Sequence, residues 1–500
     1  MTHKGERWAL LHVTDKTGIV ELAWPLKELG FKFIADKGTA AILRQAELEV
    51  SDVASYPGLL RSLAASGETG IKEEAGPRAP SVELAAINLY PLAELAASEL
   101  SQAETLSYVD AEASALLRAA ARQFRQVVCL CDPEDYGPIL EALRQHGDVS
   151  PERRQALAAK AFHYTAYYDS TVAQYLGSRW EKLPQELVMG LRKSADLGYG
   201  ENPHQQGALY ALSGARPWGV NQASLVYGRP LSFNHYFDLD TAWELAGEFP
   251  EPACAIVKHG VPAGAAVSKS LAEAAKLAYR GDPRGCLHGT AAVNREVDEE
   301  AAAFFAEEAV NCIAAPGFSA KALLALKAKK DIRLVTLPST LISAHELDFR
   351  SVAGGVLVQG RDHQPLPEPL QVPSKRQPSE LERNSLRLAW QAAKHSRTHA
   401  AVLAHGGQTV GIGSGQTTRL DTVRLALQKS RERHPILADD FPVVLASDGA
   451  LSADHILEAA AAGVKAVIQP GFSSEDEGAV EACDEKGLAM AFTGVRHFRH

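Results

Sequence analysis

The residues best suited to acid–base chemistry in this sequence are an adjacent lysine and histidine, Lys258 and His259. Histidine gives or takes a proton near neutral pH, and a lysine beside it can hold developing negative charge. The pair follows a short apolar run, residues 253–257, that predicts a buried strand, and the glycines and proline of residues 260–264 predict a turn. This pattern is typical of an acid–base catalytic pair at the end of a strand. It is equally typical of two polar residues without a catalytic role.

A second group of candidate residues follows two predicted strands near the N-terminus. Residues 8–13 and 31–34 predict strands and residues 19–29 predict a helix between them, which is the alternation of an open parallel sheet. Such sheets bind ligands at the carboxyl ends of their strands. The candidates at these ends are Thr14, Lys16, Gly38 and Thr39. Either they hold a phosphate through hydroxyls, an ammonium group and helix amides, or they are capping residues and a solvated lysine.

The composition limits the class of protein. The chain has 500 residues, 46% of them apolar and 22% charged, which predicts a globular protein of roughly two to four domains. A net charge of −10 argues against a general nucleic-acid-binding protein, which needs a basic face. The six cysteines are scattered through apolar runs without metal-ligand spacing, so we predict buried free thiols in a reducing cytosol. No signal-peptide pattern and no apolar stretch long enough to span a bilayer occur in the sequence.

The rest of the N-terminal sequence predicts more elements of the same sheet. Residues 82–89 and 127–130 predict strands, and residues 113–125 and 151–176 predict helices. Residues 60–82 lack periodicity and predict a loop or partly disordered chain.

A domain boundary is predicted at residues 182–199, where the regular pattern breaks. A hairpin-like segment up to Phe233 follows, and strands and helices then alternate as far as a proline-rich connection at residues 360–378. Beyond it we predict the helix 380–397, the strands 400–403, 443–446 and 466–469, and a glycine-rich ligand-facing turn at 410–416. The chain ends in basic residues around Phe498, which favours a docked end.

Nine stretches, in one order along the chain, resemble the bifunctional purine-biosynthesis family that joins AICAR transformylase to IMP cyclohydrolase. They are residues 15–19, 88–91, 117–121, 199–205, 258–259, 347–352, 375–378, 411–416 and 493–500. The resemblance implies an α/β protein whose N-terminal cyclohydrolase domain, residues 1–180, is an open parallel sheet like that of methylglyoxal synthase. After a linker at 181–199, it implies a transformylase of two cytidine-deaminase-like α/β subdomains, residues 200–365 and 366–500.

The resemblance also implies a reaction and its participants. A formyl group passes from 10-formyltetrahydrofolate to AICAR, and ring closure to IMP follows, without a metal or a redox cofactor. The family acts as a homodimer in which each transformylase site borrows groups from the partner chain. We therefore expect small-molecule substrates, a cytoplasmic location, and neither nucleic acid nor membrane as a partner.

The site residues that the resemblance implies fall into three sets. For catalysis they are Lys258, His259 and His399, the last at the position of a family asparagine. For substrate binding they are Tyr199, Asn202, Lys375, Gly413, Gln416, Arg496 and Phe498. The remnants of the cyclohydrolase site are Thr14, Lys16, Gly38, Thr39, Tyr90, Asp110 and Arg122.

Several positions depart from the family pattern. After Tyr56-Pro57 the family has a basic stretch with a key lysine and phosphate contacts, and this chain has Leu-Ala-Ala-Ser-Gly at 63–67. Arg122 stands where the family has a lysine. In the transformylase half the altered positions are Gly198, Val261, Leu287, His288, Asn311, His399 and 449–453.

These departures leave three hypotheses open. The first is an active transformylase with weak or lost cyclohydrolase activity, favoured by the intact Lys258–His259 pair and by Arg496. The second is a diverged paralogue that binds a purine nucleotide, takes another substrate or regulates a partner, favoured by Gly198, Val261 and His399. The third is a scaffold without a ligand, because a fold alone does not carry function.

Overall fold

The structure is a computed structural model that describes residues 6–64, 80–92, 100–177, 183–213, 219–338, 347–434 and 441–500. Contacts between Cα atoms divide the chain into two compact units. The first comprises residues 1–192 and 211–216, and the second comprises residues 193–210 and 217–500. The division after Arg192 falls inside the predicted linker. No helix among the described residues has the length and apolar character needed to cross a membrane.

The first unit is built on a five-stranded sheet in which every neighbouring pair is parallel. Its strands are β1 (Arg7–His12), β2 (Phe31–Ala35), β3 (Val50–Asp52), β4 (Val82–Ile87) and β5 (Val128–Leu130). The order across the sheet is β3-β2-β1-β4-β5, so the strand order reverses between β1 and β4. A ligand site is expected in the crevice at the carboxyl ends of these two strands.

Seven described helices belong to this unit. They are α1 (Ile19–Glu28), α2 (Lys37–Gln45), α3 (Leu59–Ala64), α4 (Gln102–Ser107), α5 (Ala111–Arg122), α6 (Tyr136–His146) and α7 (Pro151–Gly177). Helix α1 buries Ile19, Leu22 and Leu26 at helical spacing. Helix α2 begins at Asp36, whose carboxylate accepts hydrogen bonds from the amides of Gly38 and Thr39.

Two strands lie where the boundary between the units passes. Strands β6 (Leu191–Leu197) and β7 (Gly207–Leu212) form a two-stranded sheet. The hairpin predicted for the segment up to Phe233 is not formed, because β7 pairs with β6, which lies inside the predicted linker, and the next strand pairs elsewhere. The next strand, β8 (Ser224–Tyr227), is at the edge of the large sheet of the second unit.

The second unit contains an eleven-stranded mixed sheet, with the order β20-β19-β18-β16-β17-β10-β9-β11-β12-β13-β8. Its first strands after β8 are β9 (Ala253–Lys258), β10 (Val261–Val267), β11 (Thr290–Val293), β12 (Cys312–Ala315) and β13 (Arg333–Thr336). Its later strands are β16 (Ala400–His405), β17 (Gln408–Ser414), β18 (Val443–Ser447), β19 (Val464–Gln469) and β20 (Ala489–Phe492). A separate hairpin joins β14 (Leu347–Val352) to β15 (Gly355–Gly360).

The helices of the second unit cover both faces of this sheet. In chain order they are α8 (Phe233–Gly247), α9 (Leu271–Gly281), α10 (Pro283–Cys286), α11 (Glu299–Glu307), α12 (Ala320–Lys327), α13 (Glu380–Lys394), α14 (Arg419–Arg433), α15 (Ala453–Ala461) and α16 (Asp476–Lys486). Helices α8 and α13 share a core with one face of the strands, and α9, α11 and α12 pack on the other face. Alternate residues of β9 follow this division: Ala255 and Val257 belong to the first core, and Cys254 and Ile256 to the second.

The large sheet is made of two halves with the same topology. In each half an antiparallel hairpin is followed by a helix, and three further strands with helices between them extend the sheet outward. Strand β9 pairs antiparallel with β10 and β11, as β16 does with β17 and β18. Strands β11, β12 and β13 are parallel to one another, as are β18, β19 and β20, and the edge strand β8 is antiparallel to β13. The two halves meet where β10 pairs with β17.

Apart from this hairpin, the predicted strands and helices of both units are confirmed, with three local corrections. Helix α3 occupies the start of the predicted loop at 60–82, and residues 65–79 of that loop lie outside the described residues. Pro262 and Gly264 lie within β10 and do not form the turn after Lys258. Gly411 and Gly413 lie within β17, so the predicted glycine-rich turn begins only at Gly415.

The prediction for the cysteines is confirmed in its structural part. All six are free and buried: Cys129, Cys131, Cys254, Cys286, Cys312 and Cys483. Burial raises the pKa of the Cys129 and Cys131 thiols to about 12, which keeps both protonated and unreactive.

Candidate active site

Lys258 and His259 lie at the tip of the β9–β10 hairpin. Lys258 is the last residue of β9, and His259 and Gly260 form a two-residue turn with φ of 57° and 69°. Two positive φ angles are typical of the tight hairpin turn that matches strand twist. His259 is exposed and adopts a left-handed backbone that non-glycine residues seldom accept, a form of strain that clusters at functional sites.

Helix α8 supports this turn from behind. The Asp238 carboxylate accepts a hydrogen bond from the Gly260 amide at 2.6 Å. Burial raises the pKa of Asp238, and the backbone hydrogen bonds from Gly260 and His259 oppose that rise. The Phe237 ring packs against Gly260 of the turn, since a Cβ added at Gly260 would lie 2.3 Å from this ring.

The Lys258 side chain contacts the loop that precedes β11. Its ammonium group donates a hydrogen bond to the Leu287 carbonyl at 2.7 Å. The next residue, His288, has its Nδ1 3.3 Å from the Asn311 side-chain oxygen. The loop that orients the lysine is therefore in contact with the residue that precedes β12.

His399 belongs to a polar cluster at the start of β16. The Arg419 guanidinium lies 2.7 Å from His399 Nδ1 and 2.5 Å from a carboxylate oxygen of Asp448. The same guanidinium donates a hydrogen bond to the Ser447 hydroxyl at 2.8 Å. Asp448 is fully buried, and Thr398 donates a hydrogen bond to its other oxygen. Burial of the ring and the charge of Arg419 lower the pKa of His399.

The C-terminal tail completes this cluster, which confirms the predicted docked end. The Phe498 ring packs edge-on to His399 at 6.2 Å, and the Arg496 guanidinium stacks over Phe498 at 4.1 Å. His497 is 1% exposed and pairs with Asp362 at 2.6 Å. The structure thus brings Arg496 and Phe498 to His399.

One aromatic ring connects the hairpin turn to the His399 cluster. Phe237 packs against Gly260, and the Arg397 guanidinium lies 5.8 Å from the centre of its ring. The Gly415 amide donates hydrogen bonds to the carbonyls of Arg397 and His399. The lysine–histidine turn and Arg397, two residues before His399, therefore lie against the same aromatic ring.

Other predicted substrate-binding residues are found in different surroundings. Gly413 is buried in β17, where an added Cβ would lie 2.0 Å from the Thr422 carbonyl of α14. Gln416 is exposed just beyond this strand. Lys375 is exposed near Asp484 and adjoins the start of β20, whereas Arg496 follows the end of that strand. The structure does not bring the Lys375 side chain to the His399 cluster, and its binding role stays a prediction.

Tyr199 and Asn202 lie on an exposed loop before β7. The backbone N–H and the side-chain amide of Asn202 both donate hydrogen bonds to the Gln205 side-chain oxygen at 2.9 Å. Asn234, at the start of α8, donates to the Glu201 carbonyl, so the loop lies against the helix that supports the hairpin turn. Their roles in binding also stay predictions.

In the first unit, polar residues converge at the carboxyl ends of β1, β2 and β4. The Lys16 ammonium group donates to the Thr39 hydroxyl at 2.8 Å and to the Val13 carbonyl. Burial lowers the pKa of Lys16. The Asn88 side chain accepts from the amides of Thr14 and Asp15. Gly38, on the first turn of α2, would place an added Cβ 3.6 Å from the Lys16 ammonium group.

The remaining three predicted residues of this unit are not all brought together. Asp110 accepts from the Ala113 amide at the start of α5 and lies 3.0 Å from His12 Nε2, at the end of β1. Arg122 is the last residue of the same helix, about 18 Å from its start at 1.5 Å per residue. Arg122 therefore lies away from Asp110. The Tyr90 ring packs on Tyr108 at 5.1 Å.

Sequence reasoning missed four residues that organise these sites. They are His12, Asp238, Arg419 and Asp448. His12 has a signal in the sequence, since it lies near the end of a predicted strand, close to Thr14 and Lys16. The other three are recognisable only from contacts with residues far away in the chain. Among the described residues no three His, Cys, Asp or Glu side chains are grouped closely enough to hold a metal ion.

The fold and these two sites define an α/β enzyme with one polar site in each compact unit. The family model described as "AICARFT/IMPCHase bienzyme" matches residues 120–429. Relatives named "Bifunctional purine biosynthesis protein PurH" match along nearly the whole chain. The protein of Persephonella marina is 37% identical over 99% of this chain and 100% of its own, and that of Bacillus subtilis is 36% identical over 98% and 99%. The Myxococcus xanthus protein is 38% identical over 98% and 100%.

This chain belongs to the AICAR transformylase/IMP cyclohydrolase family of purine-biosynthesis enzymes. A solved structure entitled "Crystal structure of ForH" matches 35% of this chain and 100% of its own at 32% identity, with a TM-score of 0.30.

Proposed function

We propose that this protein transfers the formyl group of 10-formyltetrahydrofolate to the amine of AICAR. The observation that carries the proposal is the match to bifunctional purine-biosynthesis proteins at 36–38% identity over 98–99% of the chain. The geometry supports it, because the intact Lys258–His259 pair lies at the tip of a hairpin, where His259 is exposed.

In this reaction the AICAR amine attacks the formyl carbon, and the bond from that carbon to the folate nitrogen breaks. His259 takes the proton of the attacking amine as a general base. Lys258 has two N–H groups left after its bond to Leu287, and these stabilise the oxyanion or protonate the leaving nitrogen. His399 donates a hydrogen bond to the same oxygen in place of the family asparagine.

The proposal includes the finer architecture and the assembly. The repeated topology of the large sheet supports two cytidine-deaminase-like subdomains, and the parallel sheet of the first unit supports a methylglyoxal-synthase-like domain. We propose a homodimer that needs neither a metal nor a redox cofactor. A cytoplasmic location is supported by the six free cysteines, since a reducing compartment keeps thiols in this state.

Ring closure to IMP is proposed to be weak or lost in the first unit. The family's basic stretch is missing at residues 63–67, and each lost charge-assisted hydrogen bond to a phosphate removes about 1.5–3 kcal/mol. Lys16 and Thr39 still form a polar pair, but Arg122 lies at the far end of α5.

The test is a two-stage assay of the purified full chain. Wild type should formylate AICAR with 10-formyltetrahydrofolate, and His259→Ala should lower the rate by about 10²–10⁴-fold while AICAR binding stays close to that of wild type. Lys258→Ala should behave similarly. His146→Ala, an exposed histidine of the first unit, is the matched control and should leave the rate unchanged.

Formyl-AICAR added to the same protein should close to IMP no faster than it does in buffer. Unchanged formyl transfer in His259→Ala would refute the assigned mechanism. An inactive wild type that regains activity when Val261→Asn and Gly198→Arg restore the family residues would establish the diverged paralogue instead. The second candidate is favoured by three positions that depart from the family pattern, Gly198, Val261 and His399.

A further inference from the structure

Arg419 connects a fully buried carboxylate to the imidazole of His399. Its guanidinium donates to Asp448 at 2.5 Å and to the Ser447 hydroxyl at 2.8 Å, and these contacts fix its plane at the end of β18. The same group reaches His399 Nδ1 at 2.7 Å. The salt bridge between Arg419 and Asp448 is almost wholly buried, with side chains 11% and 0% exposed.

The chemistry of the guanidinium decides which ring nitrogen carries a proton. Arginine has five N–H donors, no acceptor, and keeps its proton in proteins. A ring nitrogen 2.7 Å from it can only accept, so Nδ1 must present its lone pair and the proton of the neutral ring must be on Nε2. The described residues provide no hydrogen-bond partner for Nε2, and His399 is partly exposed.

We propose that Arg419 is a positioning residue that holds His399 as a neutral imidazole with its proton on Nε2, so that His399 acts as a hydrogen-bond donor to an oxygen of the bound ligand. The identity of that oxygen, the formyl oxygen as it becomes an oxyanion, rests on the proposed function. The state of the ring rests only on the geometry around Arg419.

The surroundings of the ring favour the same state. The charged groups that face it are Arg419, Asp448 and the C-terminal His500, and burial together with the charge of Arg419 lowers its pKa. Phe498 packs edge-on to the ring at 6.2 Å and limits its rotation. A side-chain amide donates a hydrogen bond through N–H, and an Nε2–H imidazole does the same. His399 in this state can therefore replace the family asparagine as a donor. In a protonated ring or in the other tautomer, the Nδ1–H group would point at an N–H group of Arg419, and the two donors would repel each other.

The test is the protonation state of His399 in the full-length protein without substrate. Histidine-selective ¹⁵N labelling, with His399→Gln used to assign the signal, should show Nδ1 unprotonated and Nε2 protonated throughout the range in which free histidine titrates. In Arg419→Met the same ring should populate both tautomers and take up a proton within that range. Arg424→Met removes an exposed arginine from the same helix and should leave the signal unchanged.

Two results would overturn the proposal: a wild-type His399 whose Nδ1 carries a proton, or a signal that is the same in Arg419→Met. If Arg419→Met fails to fold because Asp448 is left unpaired, the double variant Arg419→Met, Asp448→Asn removes both charges and makes the same comparison. These outcomes do not depend on activity, so they are distinct from failure of the proposed function.

Kinetics give a second measurement where formyl transfer is observed. Removal of one oxyanion donor typically lowers kcat by about 10²–10³-fold, and His399→Ala should do so with little change in KM. His399→Asn restores an amide donor and should recover part of the loss. Equal loss in both variants would contradict the donor role.

Discussion

The contacts around a single carboxylate explain how a histidine is held in an unusual backbone conformation. The Asp238 side chain is buried and accepts a hydrogen bond from the Gly260 amide at 2.6 Å, and this bond fixes the turn that carries His259. The left-handed φ of His259 persists because its neighbours determine the turn on both sides.

Two replacements of Asp238 should therefore distinguish the contribution of its hydrogen bond to stability from the contribution of its charge. Asp238→Ala leaves the buried Gly260 amide without an acceptor, and we expect the free energy of unfolding of the second unit to fall by about 1–3 kcal/mol. Asp238→Asn keeps an acceptor oxygen and should cost clearly less. Urea denaturation of both variants checks this, and a loss in Asp238→Asn as large as in Asp238→Ala would show that the amide contact is unimportant.

Glycines decide how closely helices approach strands in the large sheet. Gly264 in β10 and Gly411 and Gly413 in β17 have backbone carbonyls of the following helix 2.0–2.3 Å from the position of an added Cβ. Helices α9 and α14 therefore lie directly on these strands. This packing positions the start of α14, where Arg419 leaves the helix toward His399.

A methyl group at one of these glycines should move the helix. Gly413→Ala is expected to lower the free energy of unfolding by about 1–3 kcal/mol, because overpacking forces the backbone of α14 away from β17. The matched control is Gly478→Ala, inside α16, where an added Cβ meets nothing within 4 Å. That change should be neutral or stabilising by about 0.4–1 kcal/mol, because it lowers the entropy of the unfolded chain.

Guanidinium chloride denaturation of the two glycine variants beside wild type makes the comparison. Gly413→Ala with wild-type stability would mean that α14 is free to shift, and the packing role assigned to this glycine would then be wrong.

At the scale of the whole second unit, a network of ion pairs ties the C-terminal tail to two helices. Arg499 donates to Thr241 of α8 at 3.0 Å and lies 3.4 Å from His395, just beyond α13. Glu248 joins the ends of the same two helices through Lys394 at 2.6 Å and His395 at 3.1 Å. The tail that brings Phe498 to His399 is thus anchored on the helix that also supports the lysine–histidine turn.

The pH dependence of stability should report on this network. Burial alone raises the pKa of Glu248, but His395 and Lys394 outweigh it and lower the pKa from 4.5 to about 2. A lowered acid pKa gives stability that is present above the unfolded value and is lost as the pH falls through the folded value. Glu248→Gln should cost about 3 kcal/mol near neutral pH, because Lys394 loses its buried partner.

The difference between wild type and Glu248→Gln should shrink as the pH falls from 4.5 towards 2, which urea denaturation at several pH values measures. Glu458→Gln breaks an exposed pair with Arg424 and should cost less than about 1 kcal/mol. A difference for Glu248→Gln that is constant with pH would show that the carboxylate is not linked to stability in this way.

The sequence determined the elements, because periodicity and end signals are local. The run before Lys258, the alternation near the N-terminus and the long helix at 151–176 all appear at the predicted places as β9, the β1–α1–β2 unit and α7. Family membership was also readable from the order of short motifs, since each motif is defined by adjacent residues.

The tertiary structure alone decided which residues meet. Glycines occur both in turns and in strands on which a helix packs closely. The local sequence around Gly411 and Gly413 predicts a turn, because the helix that lies on them is visible only in the fold. Asp110 and Arg122 were grouped by resemblance, but the helix between them sets them about 18 Å apart. The partners of His399 come from α14 and the end of β18, and the folding of the sheet brings them together. Their chemistry was visible in the sequence, whereas their distances were not.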